Sequence, residues 1–333
     1  MKKRKISNSF ILLAVFLVVA LILPVFLKKQ YYTNLMVQVL ISIVVVTGLN
    51  FITGLTGQMN LGTAGIYALG AYTTAMLTTK LGINAWLGLL GSICMGLLIG
   101  ICLGYPSLRL KGVYLALTTI GFSEVVRILI TNAIEFTGGS AGVNKIPPFV
   151  IFGYEFKSNI PTYYLYLVFV VILLIFAQRV CKSKWGRMLK AIRDNPEALE
   201  TSGVNVAWPK IMAFTLAAVY GCIAGAMYAH FIRFVFPDEY NINFSINYVF
   251  MLIIGGIGTV PGAVIGTIFV MIIPEILRFL EGYYWLVFSV IALLFVIFMP
   301  YGLVSIFSGD KLISKLFKKN KKGSGSIKGG EGR

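Results

Sequence analysis

Few side chains in this sequence could do chemistry, and they are widely spaced. Glu124 and Arg127 stand three apart inside an otherwise apolar run. On a helix that spacing lets them meet on one face. A charge at the centre of a bilayer costs roughly 2.5–3.5 kcal/mol on insertion scales, so such residues usually pair and face the protein interior. Two roles are open to this pair: a pathway or gating element, or a structural ion pair joining its helix to neighbours. Gly57-Gln58-Met59-Asn60 interrupts another apolar stretch, with glycines recurring at 54, 57, 62, 65 and 70. Such a break leaves backbone groups unpaired, which is tolerated at membrane depth only inside protein or beside a watery cavity. Broken helices form substrate sites in transporters, but the same pattern serves a tight interhelical turn with close packing. Gly57, Gln58, Asn60 and Gly62, together with Glu124 and Arg127, are therefore the candidates for a substrate pathway.

A second group of candidates lies in the polar segment 181–210. Its first part, Lys182 to Arg193, is basic, and Lys190 and Arg193 would share a helix face. Its second part, over 196–202, reads as a helix of about two turns with both ends marked. Asn195 suits the N-cap and Pro196 the first helical position. Glu197 complements the helix dipole in the first turn, and Gly203 can take the left-handed conformation that stops the helix. So short a helix does not hold in water unaided, and it predicts a partner surface. Trp208-Pro209 closes the segment before the apolar run that begins at Ile211.

Other chemistry is poorly provided for. His230 is the single histidine and has no His, Cys or carboxylate partners at ligand spacing, so no metal site is expected. Cys94, Cys102, Cys181 and Cys222 lack metal-ligand spacing and are not expected to form disulfides. There is no nucleophile–base constellation, no cofactor motif and no Gly-x-x-x-x-Gly-Lys-Ser/Thr. The chain is not read as an enzyme, and any energy from ATP must come from other subunits.

The elements that position these residues follow from composition. Of 333 residues 58% are hydrophobic and 12% charged, with mean hydropathy +0.86, which points to an all-α polytopic membrane protein. Apolar runs fall at 10–27, 35–54, 61–79, 85–104, 113–134, 162–180, 211–232, 245–257, 262–280 and 283–304. They predict a bundle of about ten passes, in which the eighth and ninth runs can form a half-length helix and its return. The first run is read as a retained helix, because it is longer than a signal-peptide core and no small-x-small site follows. The net charge of +17 gathers at residues 2–5, in 181–210 and after 305. That is the positive-inside pattern of a cytoplasmic face, attractive to anionic membrane lipid, and it argues against nucleic acid. An even number of passes puts both termini and the polar segment in the cytoplasm. The expected organisation is a permease domain over 1–305 and a flexible basic tail over 306–333.

Several motifs carry a family resemblance. Glu197-Ala198-Leu199, three residues and then Gly203 resembles the Glu-Ala-Ala-xxx-Gly loop of ABC importer permeases, with Leu199 for the second Ala and no Ile-x-Leu-Pro tail. Trp185-Gly-Arg187, Ala191-Ile-Arg-Asp-Asn195 and Gly203-Val-Asn-Val206 resemble the LivM-type permeases of branched-chain amino acid importers. Gly54 to Gly70 is similar to the Gly-x-x-Gly-Gln-x-x-Leu-Gly segment of LivM-type and LivH-type permeases. Leu115 to Arg127, Thr137 to Gly142, Ile254 to Gly262 and Pro274-Glu275 add to the LivM resemblance.

The resemblance implies that Arg193, Asn195, Pro196, Glu197, Ala198, Leu199 and Gly203 form a coupling element seated in an ATPase cleft. It implies a permease subunit for branched-chain or similar apolar amino acids, in a bacterial cytoplasmic membrane, working by alternating access. Its partners would be a LivH-type sister permease, two ATP-binding subunits and an extracytoplasmic substrate-binding protein. The alternatives are an ion-coupled secondary transporter or channel using Glu124 and Arg127, and a urea or amide permease of the same superfamily.

Overall fold

The computed structural model describes residues 16–24, 29–151, 153–156, 158–299 and 302–307. The basic residues 2–5, the start of the first apolar run and the tail from 308 lie outside these. Each of the ten apolar runs carries a helix. They are α1 (16–24), α2 (Gln30–Leu49), α3 (Thr63–Thr79) and α4 (Ala85–Gly104), then, past a short α5 (Pro106–Arg109), α6 (Val113–Asn132). After the one-turn α7 (Ile134–Thr137) comes α8 (Asn159–Lys182). The polar segment folds as α9 (Lys184–Asp194) and α10 (Pro196–Thr201). Next come α11 (Ala207–Ile232), α12 (Ile242–Gly255), α13 (Val260–Ile276) and α14 (Tyr284–Phe298), and last a single turn, α15 (Val304–Phe307).

Six helical stretches among the described residues are long and apolar enough to cross a membrane alone: Gln30–Thr56, Ala85–Arg109, Val113–Asn132, Asn159–Lys182, Ala207–Ile232 and Val260–Phe279. The remaining apolar helices are shorter, and this is where the expectation of about ten passes outruns the structure. α3 has 17 residues, α12 has 14 and α14 has 15. At 1.5 Å per residue α12 reaches about 21 Å, well short of a hydrocarbon core of about 30 Å.

The bundle is organised around α11, which packs against α2, α3 and α4. A glycine ridge permits the closest approach. Cβ atoms built at Gly96 and Gly104 of α4 would lie 2.8 Å from Val219 Cα and 3.0 Å from Ile211 Cα, and Gly100 likewise meets Thr215. This is the small-xxx-small device of membrane helices, which gains dispersion contacts where no hydrophobic force separates helix from lipid. Ala64, Ala68, Ala71 and Ala75 of α3 are all buried, as their spacing predicts. By contrast α6 and α8 turn long apolar faces outward, among them Leu117, Val125 and Leu129, and Val168, Ile172 and Ile175. Apolar faces of that extent suit lipid rather than water.

Among the described residues four two-residue strands decorate the loops. Val143 pairs with Val235 and Asn144 with Phe234, while Val150 pairs with Glu155 and Ile151 with Tyr154. The 24 residues of α8, about 36 Å of helix, separate the loop 133–158 from the polar segment. These lie at opposite ends of the bundle.

Candidate functional site

Two interruptions of the helices meet beneath the polar segment. The first follows α2, whose turns widen into a π-helical stretch, Asn50–Thr56, ending at Gly57 with φ +71°. That left-handed value favours glycine. Gln58 Nε2 donates to the Ser107 carbonyl at 3.3 Å, and Asn60 Oδ1 accepts from Gly62 N at 2.8 Å. The unpaired N–H groups expected at a break find side-chain acceptors on other helices. Leu61 N donates to Thr119 Oγ1 (3.0 Å), Ala64 N to Ser245 Oγ (2.9 Å) and Gly65 N to Ser123 Oγ (3.0 Å). Three hydroxyls from α6 and α12 thus take over what a continuous helix would supply. On its inner side the break opens on a small cavity lined by Asn60, Thr63, Val45, Leu49, Ile66 and Ala217. The buried Thr63 hydroxyl has no hydrogen-bond partner.

The second interruption separates α12 from α13. Gly256 and Gly258 both have positive φ, and Thr259 caps α13 by accepting from Gly262 N at 3.1 Å. Gly258 N donates to Asn50 Oδ1 at 2.9 Å, so the two breaks are joined through the first residue of the π stretch.

The polar segment packs onto this junction. Ser183 Oγ accepts from Gly186 N at the start of α9, which buries Gly186, Leu189 and Ile192 and leaves Lys184, Arg187 and Lys190 exposed. Arg193, one turn after Lys190 on α9, reaches further. Its Nη1 donates to the Gly54 carbonyl at 2.9 Å, and its stem covers Gly57, where a Cβ would lie 2.9 Å from Arg193 Cγ. α10 is capped where its sequence indicates. Asn195 Oδ1 accepts from Ala198 N at 3.0 Å, with Pro196 in the first position. Gly203 takes φ +79°. Gly203 N donates to Glu200 O and Val204 N to Leu199 O, both at 3.0 Å, forming a Schellman stop. None of the residues of α10 is buried, although Leu199 packs against the core.

Glu124 and Arg127 do meet on α6, as a bidentate ion pair. A third member was missed from sequence: Arg127 Nη1 also reaches Asp238 Oδ1 at 3.3 Å, tying α6 to the loop before α12. Next to it, Glu239 accepts from the Tyr228 hydroxyl, and burial pushes its carboxyl up. Only the adjacency of Asp238 and Glu239 after the seventh run could have signalled either. Asn50, an amide in an apolar run just before the glycine break, was the legible sign of the junction. His230 is a satisfied core residue. Its Nδ1 donates to the Pro147 carbonyl (2.7 Å), which leaves Nε2 to accept from Thr74 Oγ1 (2.8 Å). Among the described residues no three His, Cys, Asp or Glu side chains gather as metal ligands.

Long apolar helices with lipid-suited faces, interruptions lined by polar groups and a capped polar segment at one end define a polytopic membrane permease. Residues 31–299 match the family described as branched-chain amino acid transport system / permease component, and the chain belongs to that family. It is 32% identical over 325 residues to the high-affinity branched-chain amino acid transport system permease protein LivM of Escherichia coli K12, covering 90% of this chain and 76% of that protein. The probable LivM of Methanocaldococcus jannaschii is 24% identical over 268 residues, 73% of this chain and 77% of that protein. An autoinducer 2 import system permease, LsrC of Yersinia pestis, is also 24% identical, over 286 residues, 82% of this chain and 77% of that protein. No solved structure matches. The chain is thus a permease of a branched-chain amino acid ABC transport system, a transport subunit and not an enzyme.

Proposed function

We propose that this permease carries branched-chain or similarly apolar amino acids inward across the bacterial cytoplasmic membrane by alternating access. The drive comes from two ATP-binding subunits docked on the 181–210 segment. The observation that carries this reading is α10: six residues, capped at both ends, none of them buried. Held here by its caps and by Leu199 against the core, a helix so short is firm only with a further surface against it. Arg193, Asn195, Pro196, Glu197, Ala198, Leu199 and Gly203 are the coupling element. A LivH-type sister permease completes the membrane unit, and an extracytoplasmic binding protein delivers substrate.

Ten passes, with both termini and the 181–210 segment in the cytoplasm, fit the ten helix-bearing apolar runs and the clustering of basic residues in the sequence at 2–5, in 181–210 and after 305. α12 and α13 then serve as a short helix and its return. The passage runs by Gly57, Gln58, Asn60 and Gly62, where Asn60 borders the internal cavity. The Glu124–Arg127 pair, extended to Asp238, braces the opposite end. The test is uptake in vesicles. The chain assembled with its partners should take up leucine, isoleucine and valine only with ATP. Uptake by the chain alone, driven by an ion gradient, would sink this reading in favour of a secondary transporter.

A further inference from the structure

We propose that Arg193 is a latch: it holds the two helix breaks together in this conformation and releases them when the polar segment moves. It acts as a positioning residue, and the proposal rests on α10 being the docking helix.

Apart from bonds to the adjoining ends of α8 and α11, from Arg187 to Lys182 O and from Ala207 N to Asn205, the Arg193–Gly54 contact is the one side-chain hydrogen bond among the described residues that joins 184–206 to another helix. Its acceptor lies near the C-terminal end of a helical stretch, where a cation is favourably placed. The same guanidinium borders the second break. A Cβ at Gly258 would lie 3.2 Å from Gly54 O and 3.6 Å from Arg193 Nη1, while Gly258 N is held by Asn50. One side chain of the segment therefore bonds to the first interruption and lies beside the second. α9 is a firm lever, anchored by Leu189 and Ile192, and α10 follows it through Asn195 alone. A displacement imposed on α10 reaches Arg193 with little slack.

The latched arrangement also holds polar groups in unsatisfied positions. Asn50 Nδ2, Thr47 Oγ1 and Thr53 Oγ1 are buried without hydrogen-bond partners. Such groups gain by meeting water, so an opened junction is a near competitor of the closed one. Arg193 is otherwise exposed, so a partner's acceptor can draw it away from Gly54. A hydrogen bond to a charged group is worth about 10- to 100-fold in an equilibrium, enough to switch a balanced pair of states.

The experiment uses the full complex with a single cysteine at Thr53, whose side-chain oxygen is buried in the π-helical stretch before the first break, and the four native cysteines replaced by alanine. Labelling by a water-soluble maleimide is followed with and without trapped nucleotide. With Arg193 intact, the rate should change with nucleotide. In Arg193→Met, labelling should be fast in both states and uptake per ATP hydrolysed should fall about 10-fold, with ATPase subunits still bound. Arg193→Lys should recover part of the nucleotide response. Unchanged labelling and coupling in Arg193→Met overturns the latch. Loss of ATPase subunits from that variant also overturns it, making Arg193 a docking contact. Full ATPase binding and uptake in Glu197→Lys instead fails the docking reading, and the latch with it. Should Arg193→Met not assemble, Gly258→Ala probes the junction from the other side, where φ +83° strains any side chain. It should give the same nucleotide-insensitive labelling, and a normal nucleotide response there overturns the latch.

Discussion

Replacing Gly203 by Val isolates the contribution of the α10 stop. A Cβ at Gly203 meets no atom within 4 Å, so the substitution causes no clash inside this chain. Its effect is conformational: φ is +79°, and an L-residue pays roughly 1–2 kcal/mol to enter the left-handed region, a β-branched one at the upper end. The two hydrogen bonds of the stop depend on that φ, and a six-residue helix has no further turns to compensate. A loss of 1–2 kcal/mol lowers the population of the formed helix by about 5- to 30-fold. ATPase co-purification at limiting concentration and uptake in vesicles should fall together by that factor, while insertion in the membrane stays normal. Gly203→Asn is the internal control, since Asn tolerates the left-handed region, and it should retain most of the activity. Equal loss in Asn and Val would show that space against the partner, not backbone conformation, is what the glycine supplies. Wild-type behaviour in Val would refute the reasoning outright.

Arg127, Glu124 and Asp238 are partly to largely exposed, so their substitutions should lower the yield of folded protein only modestly, Arg127→Met more than Glu124→Gln, because it leaves Glu124 and Asp238 without their shared cation. Quantified folded protein in detergent checks the order, and the Gln/Met double variant should recover some of the loss. Glu239, half-buried with a raised pKa, stabilises the fold when protonated and loses that contribution as pH rises through its folded value. Glu239→Gln should therefore raise the thermal midpoint at neutral and alkaline pH, with the difference vanishing in acid. Gly100→Leu should cost about 3 kcal/mol, since its Cβ would already lie 3.0 Å from Thr215 N and 3.2 Å from Ala218 Cβ. A thermal melt of the purified protein reads this directly.

What the sequence made legible were features whose cause is local. The apolar runs mark helices because hydrocarbon demands internally bonded backbone, and Asn195, Pro196 and Gly203 mark α10 because caps are set by one or two residues. The Glu124–Arg127 pair was legible from its spacing of three. Features set by tertiary packing stayed hidden. Lys190 and Arg193 stand three apart on α9 as their spacing implies, but nothing in the spacing shows that burial of Leu189 and Ile192 sets α9 where the Arg193 guanidinium reaches the Gly54 carbonyl. Asp238 lies 111 positions from Arg127, and no periodicity relates them. The hydroxyls of Thr119, Ser123 and Ser245 read as ordinary helix residues until the unpaired N–H groups of the first break are laid beside them. The number of passes was the least legible, because a 14-residue helix such as α12 gives the same apolar signal whether it spans or turns back.

The most direct test of ATPase docking on α10 is site-specific photocrosslinking in the assembled complex. A photoreactive residue at Ala198, exposed on α10, should capture an ATP-binding subunit, with a yield that changes between nucleotide-free and trapped states. The same probe at Tyr154, exposed at the opposite end of the bundle, should capture none. Capture at Tyr154 with none at Ala198, alongside undiminished ATP-driven leucine uptake, would contradict docking on α10.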